Sequence, residues 1–96
     1  KMLGLRVVGV RTLEQVMDRF GLDAIDLLKL DCEGAEYEIL YRAPAAVLKK
    51  IRSIAMETHR GKDPAQNRAA LEKYLAENGF RTRIDRGDFL WAWRLD

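Results

Sequence analysis

Apolar residues recur in this chain at two periods that take turns along it, and that alternation limits the folds available. Residues 5–10 (LRVVGV), 25–31 (IDLLKLD) and 51–58 (IRSIAMET) are short, aliphatic and partly β-branched, so they read as strands. Between the first two, Leu13, Val16, Met17 and Phe20 keep the i, i+3, i+4, i+7 spacing of one buried helix face. Thr12 and Gln15 are placed to form a capping box, and Gly21 to end that helix in a left-handed conformation. A short helix is predicted over residues 34–42. Pro44 stops it and can open another. Asp63, Pro64 and Gln66 read as cap, first residue and box partner of a further helix carrying Leu71, Tyr74 and Leu75, with Gly79 at its end. The last stretch changes period. Phe80, Thr82 and Ile84 alternate with Arg81, Arg83 and Asp85, and after Arg86-Gly87 the residues Phe89, Trp91, Trp93 and Leu95 alternate again. That is an antiparallel hairpin, read with these apolar residues as its buried face.

The order β-α-β-α-α-β-α-β-β predicts an α/β fold: a mostly parallel sheet with helices on its faces and a C-terminal antiparallel hairpin. Residues 25–31 carry apolar side chains on both faces, which suits a strand covered by helices on both sides. At 96 residues the chain is a single domain at most. An apolar share of 48% argues against disorder. A net charge of +2 gives no case for nucleic acid or an anionic membrane. Arg81, Arg83 and Arg86 read as the solvated side of the hairpin. Cys32 is the single cysteine, so no internal disulfide forms, and with no signal-like or membrane-length apolar run the expected location is the cytoplasm. An opening lysine suggests that residues are missing upstream.

Ligands of open α/β sheets bind beyond the carboxyl ends of the parallel strands. Two such ends carry acids here: Lys29-Leu30-Asp31-Cys32-Glu33-Gly34-Ala35-Glu36 and Met56-Glu57-Thr58-His59. If the two strands are neighbours, Asp31, Glu33, Glu57 and His59 converge on one rim. Lys29 and Asp31 point to one face of their strand, and a lysine in so apolar a strand needs a partner, which Asp31 or Glu57 can supply. Plainer readings stand beside this one. Acids before a helix are favoured by its dipole, Gly34 lets the chain turn, His59 is a solvated loop residue, and Cys32 fills space.

The stretch Ile25-Asp26-Leu27-Leu28-Lys29-Leu30-Asp31-Cys32-Glu33-Gly34-Ala35-Glu36, with Glu38-Ile39-Leu40 after it, resembles the hallmark segment of the FkbM-type methyltransferases. Thr12-Leu13-Glu14 is similar to the start of that family's preceding helix, and Ile54-Ala55-Met56-Glu57-Thr58-His59 to its strand ending in glutamate, one residue and histidine. Order and spacing agree over about residues 8 to 60. Cys32 stands where the family usually has valine, a size-tolerant change. The resemblance implies a Rossmann-like class I methyltransferase fold, of which this chain is the C-terminal half. It also implies methyl transfer from S-adenosylmethionine to a hydroxyl of a sugar or secondary metabolite.

The seven glycines (4, 9, 21, 34, 61, 79 and 87) include no G-x-G pair, so the loop that would hold the cofactor is not in this sequence. The expected roles are therefore those of a rim. Asp31 lies nearest the methyl, with Lys29 beside it as a second cofactor-binding residue. Glu33 serves as base or, with Asp31, as ligand to a divalent cation. Glu57 and His59 act as base or orient the acceptor. The competing readings are a metal-dependent enzyme built on Asp31, Glu33 and Glu57, and a non-catalytic interaction module. Residues 25–31 would sit inside a complete sheet. Unless residues 5–10 fold back beside them, an open edge is left, and a homo-oligomer or a pairing with the missing N-terminal half is expected.

Overall fold

The computed structural model describes residues 2–7, 12–31, 35–59, 61 and 63–95. Of residues 2–7 only the backbone is considered. Five strands form one sheet in the order β1-β2-β3-β5-β4, with β1 Met2–Val7, β2 Ile25–Leu30, β3 Ile51–Glu57, β4 Phe80–Asp85 and β5 Phe89–Arg94. β1, β2 and β3 run parallel; β5 runs antiparallel to both β3 and β4. The fold is therefore α/β with a mixed sheet, three parallel strands and a C-terminal hairpin.

The first strand lies earlier than the sequence pattern predicts. Its described pairing runs from Met2 opposite Ile25 to Val7 opposite Leu30. The rest of the predicted strand, residues 8–10, lies outside the described residues. β1 occupies the edge of β2 that the sequence leaves open.

Helix α1 (Leu13–Phe20) is closed at both ends by its own sequence. Thr12 Oγ1 accepts the Gln15 N–H at 3.1 Å, and Gln15 Oε1 accepts the Thr12 N–H at 3.1 Å. At the other end Gly21 takes φ +62°, and the N–H groups of Gly21 and Leu22 donate back to the carbonyls of Asp18 and Met17. Leu13, Val16 and Met17 are buried as predicted, but Phe20 is 57% exposed. The left-handed turn folds Leu22 back onto the core, and Phe20 lies past the last contact of the helix face.

Helices α2 (Glu36–Arg42) and α3 (Ala45–Leu48) lead to β3. Helix α4 (Arg68–Glu77) starts later than predicted. Asn67, in extended conformation, caps it by accepting the Ala70 N–H at 2.9 Å. Asp63 instead accepts the Ala65 N–H through its side chain and the Gln66 N–H through its carbonyl, so residues 63–66 make a turn and Pro64 precedes the helix.

The core lies on one face of the sheet. Leu28 and Leu30, Ile54 and Met56, and Leu90 and Ala92 align across β2, β3 and β5, each no more than 2% exposed. They pack in one cluster with Leu13 and Met17 of α1, Tyr37 and Leu40 of α2, Leu48 of α3, and Leu71 and Leu75 of α4. The opposite face is more open: Ile25, Ile51 and Ala55 are buried on it, but Lys29, Glu57, Arg81 and Arg83 are exposed, and Leu27, Ser53, Phe89 and Trp93 half-buried. This corrects two expectations. Past Ile25, β2 is covered on one side only. In β5 the buried residues are Leu90 and Ala92, while Trp91 is 36% and Leu95 67% exposed. Arg81 pairs with Trp93 and Arg83 with Trp91, so arginines and tryptophans share the open face. The small Leu90 and Ala92 fit beneath the helices, and a one-residue change of parity sends both indoles outward.

Candidate functional site

Register brings the predicted rim together. Lys29 pairs with Ala55 and Leu30 with Met56, so the next step sets Asp31 level with Glu57 at the carboxyl ends of two adjacent parallel strands. Asp31 and Glu57 are both exposed there, and His59 lies against Glu57. Lys29 shares their face but is itself exposed, so the buried partner predicted for it is not required. Glu33 and Cys32 lie outside the described residues, and with them the pairing of Asp31 and Glu33 around a metal. Among the described residues no group of three or more His, Cys, Asp or Glu is arranged to hold a metal ion.

His59 is not a loose loop residue. The Tyr37 hydroxyl donates to its backbone carbonyl. The residue before it, Thr58, is fixed twice on the turn of the hairpin: its N–H and its hydroxyl each donate to the Asp88 carbonyl at 2.8 Å. That turn bends through Arg86 (φ +48°) and Gly87 (φ +82°). The imidazole stands between two carboxylates. Its Nδ1 is 3.7 Å from Glu36 Oε1 and its Nε2 3.8 Å from Glu57 Oε2. Glu57 is solvated, whereas the Glu36 side chain is only 2% exposed.

Glu36 is the residue that pattern reading undervalues. As an acid in the first turn of a helix it is accounted for by the dipole alone. Its burial is legible only once α2 packs against the strand ends. Its charge is felt next door: burial, and then the Glu36 carboxylate, push the Tyr37 phenol above its ordinary value. Tyr37 therefore stays protonated and remains a donor to the His59 carbonyl.

Two cavities meet at His59. The larger, about 440 Å³, is walled by Glu57, Asp85, Arg86, Asp88, Phe89 and Trp91. Its rings are close, with the Phe89 and Trp91 centroids 5.2 Å apart. The smaller, about 340 Å³, lies towards the start of α4 and is walled by Tyr37, Asn67, Arg68 and Asp88. A third cavity, about 210 Å³ between α1 and α2, touches none of the candidate residues. Among the described residues no helix is long and apolar enough to cross a membrane.

The methyltransferase FkbM domain family matches residues 4–82. The AMB antimetabolite synthetase AmbE of Pseudomonas aeruginosa is 42% identical over 77 residues, covering 78% of this chain and 4% of that protein. The methyltransferase sdnD of Sordaria araneosa is 38% identical over 72 residues, covering 75% of this chain and 26% of that protein. The chain thus spans a small part of both relatives. No solved structure matches it. With the family matched over most of its length, the chain belongs to the methyltransferase FkbM domain family.

Proposed function

We propose that this chain is the acceptor-side, C-terminal part of a Rossmann-like, S-adenosylmethionine-dependent methyltransferase that methylates a hydroxyl on a sugar or secondary metabolite. The observation that carries the reading is that register sets Asp31 level with Glu57 at the carboxyl ends of β2 and β3, with His59 against Glu57, in a chain of this family. Bound S-adenosylmethionine supplies a methyl group already activated on a sulfonium. The protein's task is then placement of the reactants and removal of the acceptor's proton.

The residues present fit the amino-acid end of that cofactor. The Asp31 carboxylate suits its ammonium, and Lys29, two residues earlier and exposed on the same strand, suits its carboxylate. The glycine loop that would cradle the rest is absent from this sequence. On this reading that loop is supplied from outside these 96 residues. Glu33 adds a base or, with Asp31, hard oxygen ligands for a divalent cation. Cys32, the single cysteine, fits a reducing cytoplasm.

Asp31→Asn in the intact protein is the test. A charge at a strand's carboxyl end serves a ligand better than it serves packing. Methyl transfer should fall by about 100-fold, while the melting temperature moves by less than about 4 °C. A collapse in stability with unchanged turnover of the folded fraction would make Asp31 structural. Glu33→Gln should lower turnover too, and a rate indifferent to added Mg²⁺ would remove the cation.

A further inference from the structure

We propose that Glu36 is a positioning residue for His59, and that the two form a carboxylate–imidazole dyad whose outer nitrogen takes the acceptor's proton. This rests on the methyltransferase reading for the identity of the reaction, but not for the dyad itself. The geometry points to it from several sides. Glu36 is 1% exposed, so its carboxylate is held in place by the packing around it rather than swinging in solvent. The imidazole Nδ1 faces its Oε1 at 3.7 Å. That is longer than a hydrogen bond, but catalytic contacts of this kind commonly tighten once substrate is seated. The backbone of the histidine does not drift, because Tyr37 holds its carbonyl and the hairpin turn holds Thr58.

The ring then has a direction. Glu57 walls only the larger cavity and Tyr37 only the smaller one. Nε2, on the Glu57 side, therefore belongs to the larger cavity, where Phe89 and Trp91, their rings tilted at 59° to each other, give an apolar wall and Asp85, Asp88 and Arg86 a polar one. That wall suits a ring bearing hydroxyl groups, packed against one of the two aromatics with one hydroxyl towards His59. Glu36 keeps the proton of the neutral imidazole on Nδ1, which leaves the Nε2 lone pair for the acceptor; a carboxylate behind a catalytic histidine acts in this way by fixing tautomer and orientation. In the transfer step the acceptor O–H bond breaks and its proton goes to Nε2. The oxygen's electron pair forms the new O–CH₃ bond, and the pair that held the methyl departs with the sulfur of the sulfonium donor. Among the described residues, the charged and titratable groups around the ring are Glu36, Glu57, Tyr37, Asp85, Asp88, Arg68 and Arg86.

His59 is the single histidine, so its imidazole nitrogens are unambiguous in ¹⁵N-labelled protein. Long-range ¹H–¹⁵N correlation spectra at high pH read the tautomer without any substrate or cofactor. The Nδ1–H form should dominate in the wild-type chain. Glu36→Leu should shift it to the Nε2–H form that free imidazole prefers, and Glu36→Gln, whose carbonyl still accepts, should restore Nδ1–H. A wild-type chain mainly in the Nε2–H form overturns the dyad even if neither variant folds. In the intact enzyme, Glu36→Leu should lower kcat by at least 10-fold with KM nearly unchanged, and Glu36→Gln should recover part of it. An unchanged kcat in folded Glu36→Leu also overturns it. If the tautomer is as expected but no methyl transfer occurs in the wild type, the methyltransferase reading fails and the dyad stands.

Discussion

Arg94 ties three distant elements together. Its Nε donates to the Ile51 carbonyl at 2.9 Å, one terminal nitrogen to Asn78 at 2.8 Å and the other to Leu48 at 2.7 Å, while the guanidinium lies 4.0 Å from the Phe80 ring centre. One planar fork thus joins the end of α3, the start of β3 and the end of α4, which a lysine cannot imitate. Arg94→Met leaves three carbonyls without their charged donor and should cost about 3 kcal/mol, read from urea denaturation; a loss under about 1 kcal/mol would mean that water replaces the fork without penalty. Nothing in the sequence singles Arg94 out, because its partners are backbone carbonyls from distant elements. The rim residues were legible for the opposite reason. Asp31, Glu57 and His59 sit at strand ends that periodicity locates, and parallel pairing does the rest. Lys29 misled because its strand was taken as covered on both faces.

Local chemistry written in adjacent residues was readable, as in the capping box and glycine turn of α1. What depended on competition between equally suited residues was not. Asp63 and Asn67 are both good caps, and Asn67 wins because Asp63 is engaged in the turn 63–66. Asn67→Ala should accordingly cost about 1 kcal/mol. In β5 both parities carry apolar residues, so the pattern alone does not say which faces the helices. The tyrosines of α2 and α4 add a test at this scale. Tyr41 donates to the Ala65 carbonyl at 2.7 Å and Tyr74 to the Leu40 carbonyl at 2.7 Å, with their ring centres 4.8 Å apart. Burial raises the phenols of Tyr37, Tyr41 and Tyr74 above their ordinary value of 10.0. A raised acid is favoured in its protonated form by the fold. Its contribution is complete below that value and is lost as the pH climbs through the raised one. Thermal melts should be insensitive to pH from 8 to 9.5 on account of these groups and fall steeply above about pH 10. A melting temperature that stays flat to pH 11 would show that the phenols ionise equally in both states.

The molecule as a whole is compact but one-sided. Its radius of gyration is 12.3 Å, close to the ~12.5 Å of a finished domain of this length. Yet the helices line one face of the sheet, and the other presents Leu27, Phe89, Trp91 and Trp93 among charged residues. β1 closes the edge of β2 and becomes the edge itself, with few charges along it to discourage another strand. The isolated chain should therefore associate, through the β1 edge or the open face, and light scattering at micromolar concentration should report at least twice the 11.0 kDa of one chain. A clean monomer would mean that β1 is sealing enough. On the function proposed above, the rest of the domain would cover this surface, and the rim at its carboxyl end is where the cofactor should meet its acceptor. Calorimetric titration of S-adenosylmethionine tests that most directly. The intact protein should bind it in the micromolar range, Asp31→Asn should weaken binding by at least about 10-fold, or 1.4 kcal/mol, and the 96-residue chain alone should give no measurable heat. An intact protein that does not bind, or an isolated chain that binds at low micromolar concentration, would contradict the account.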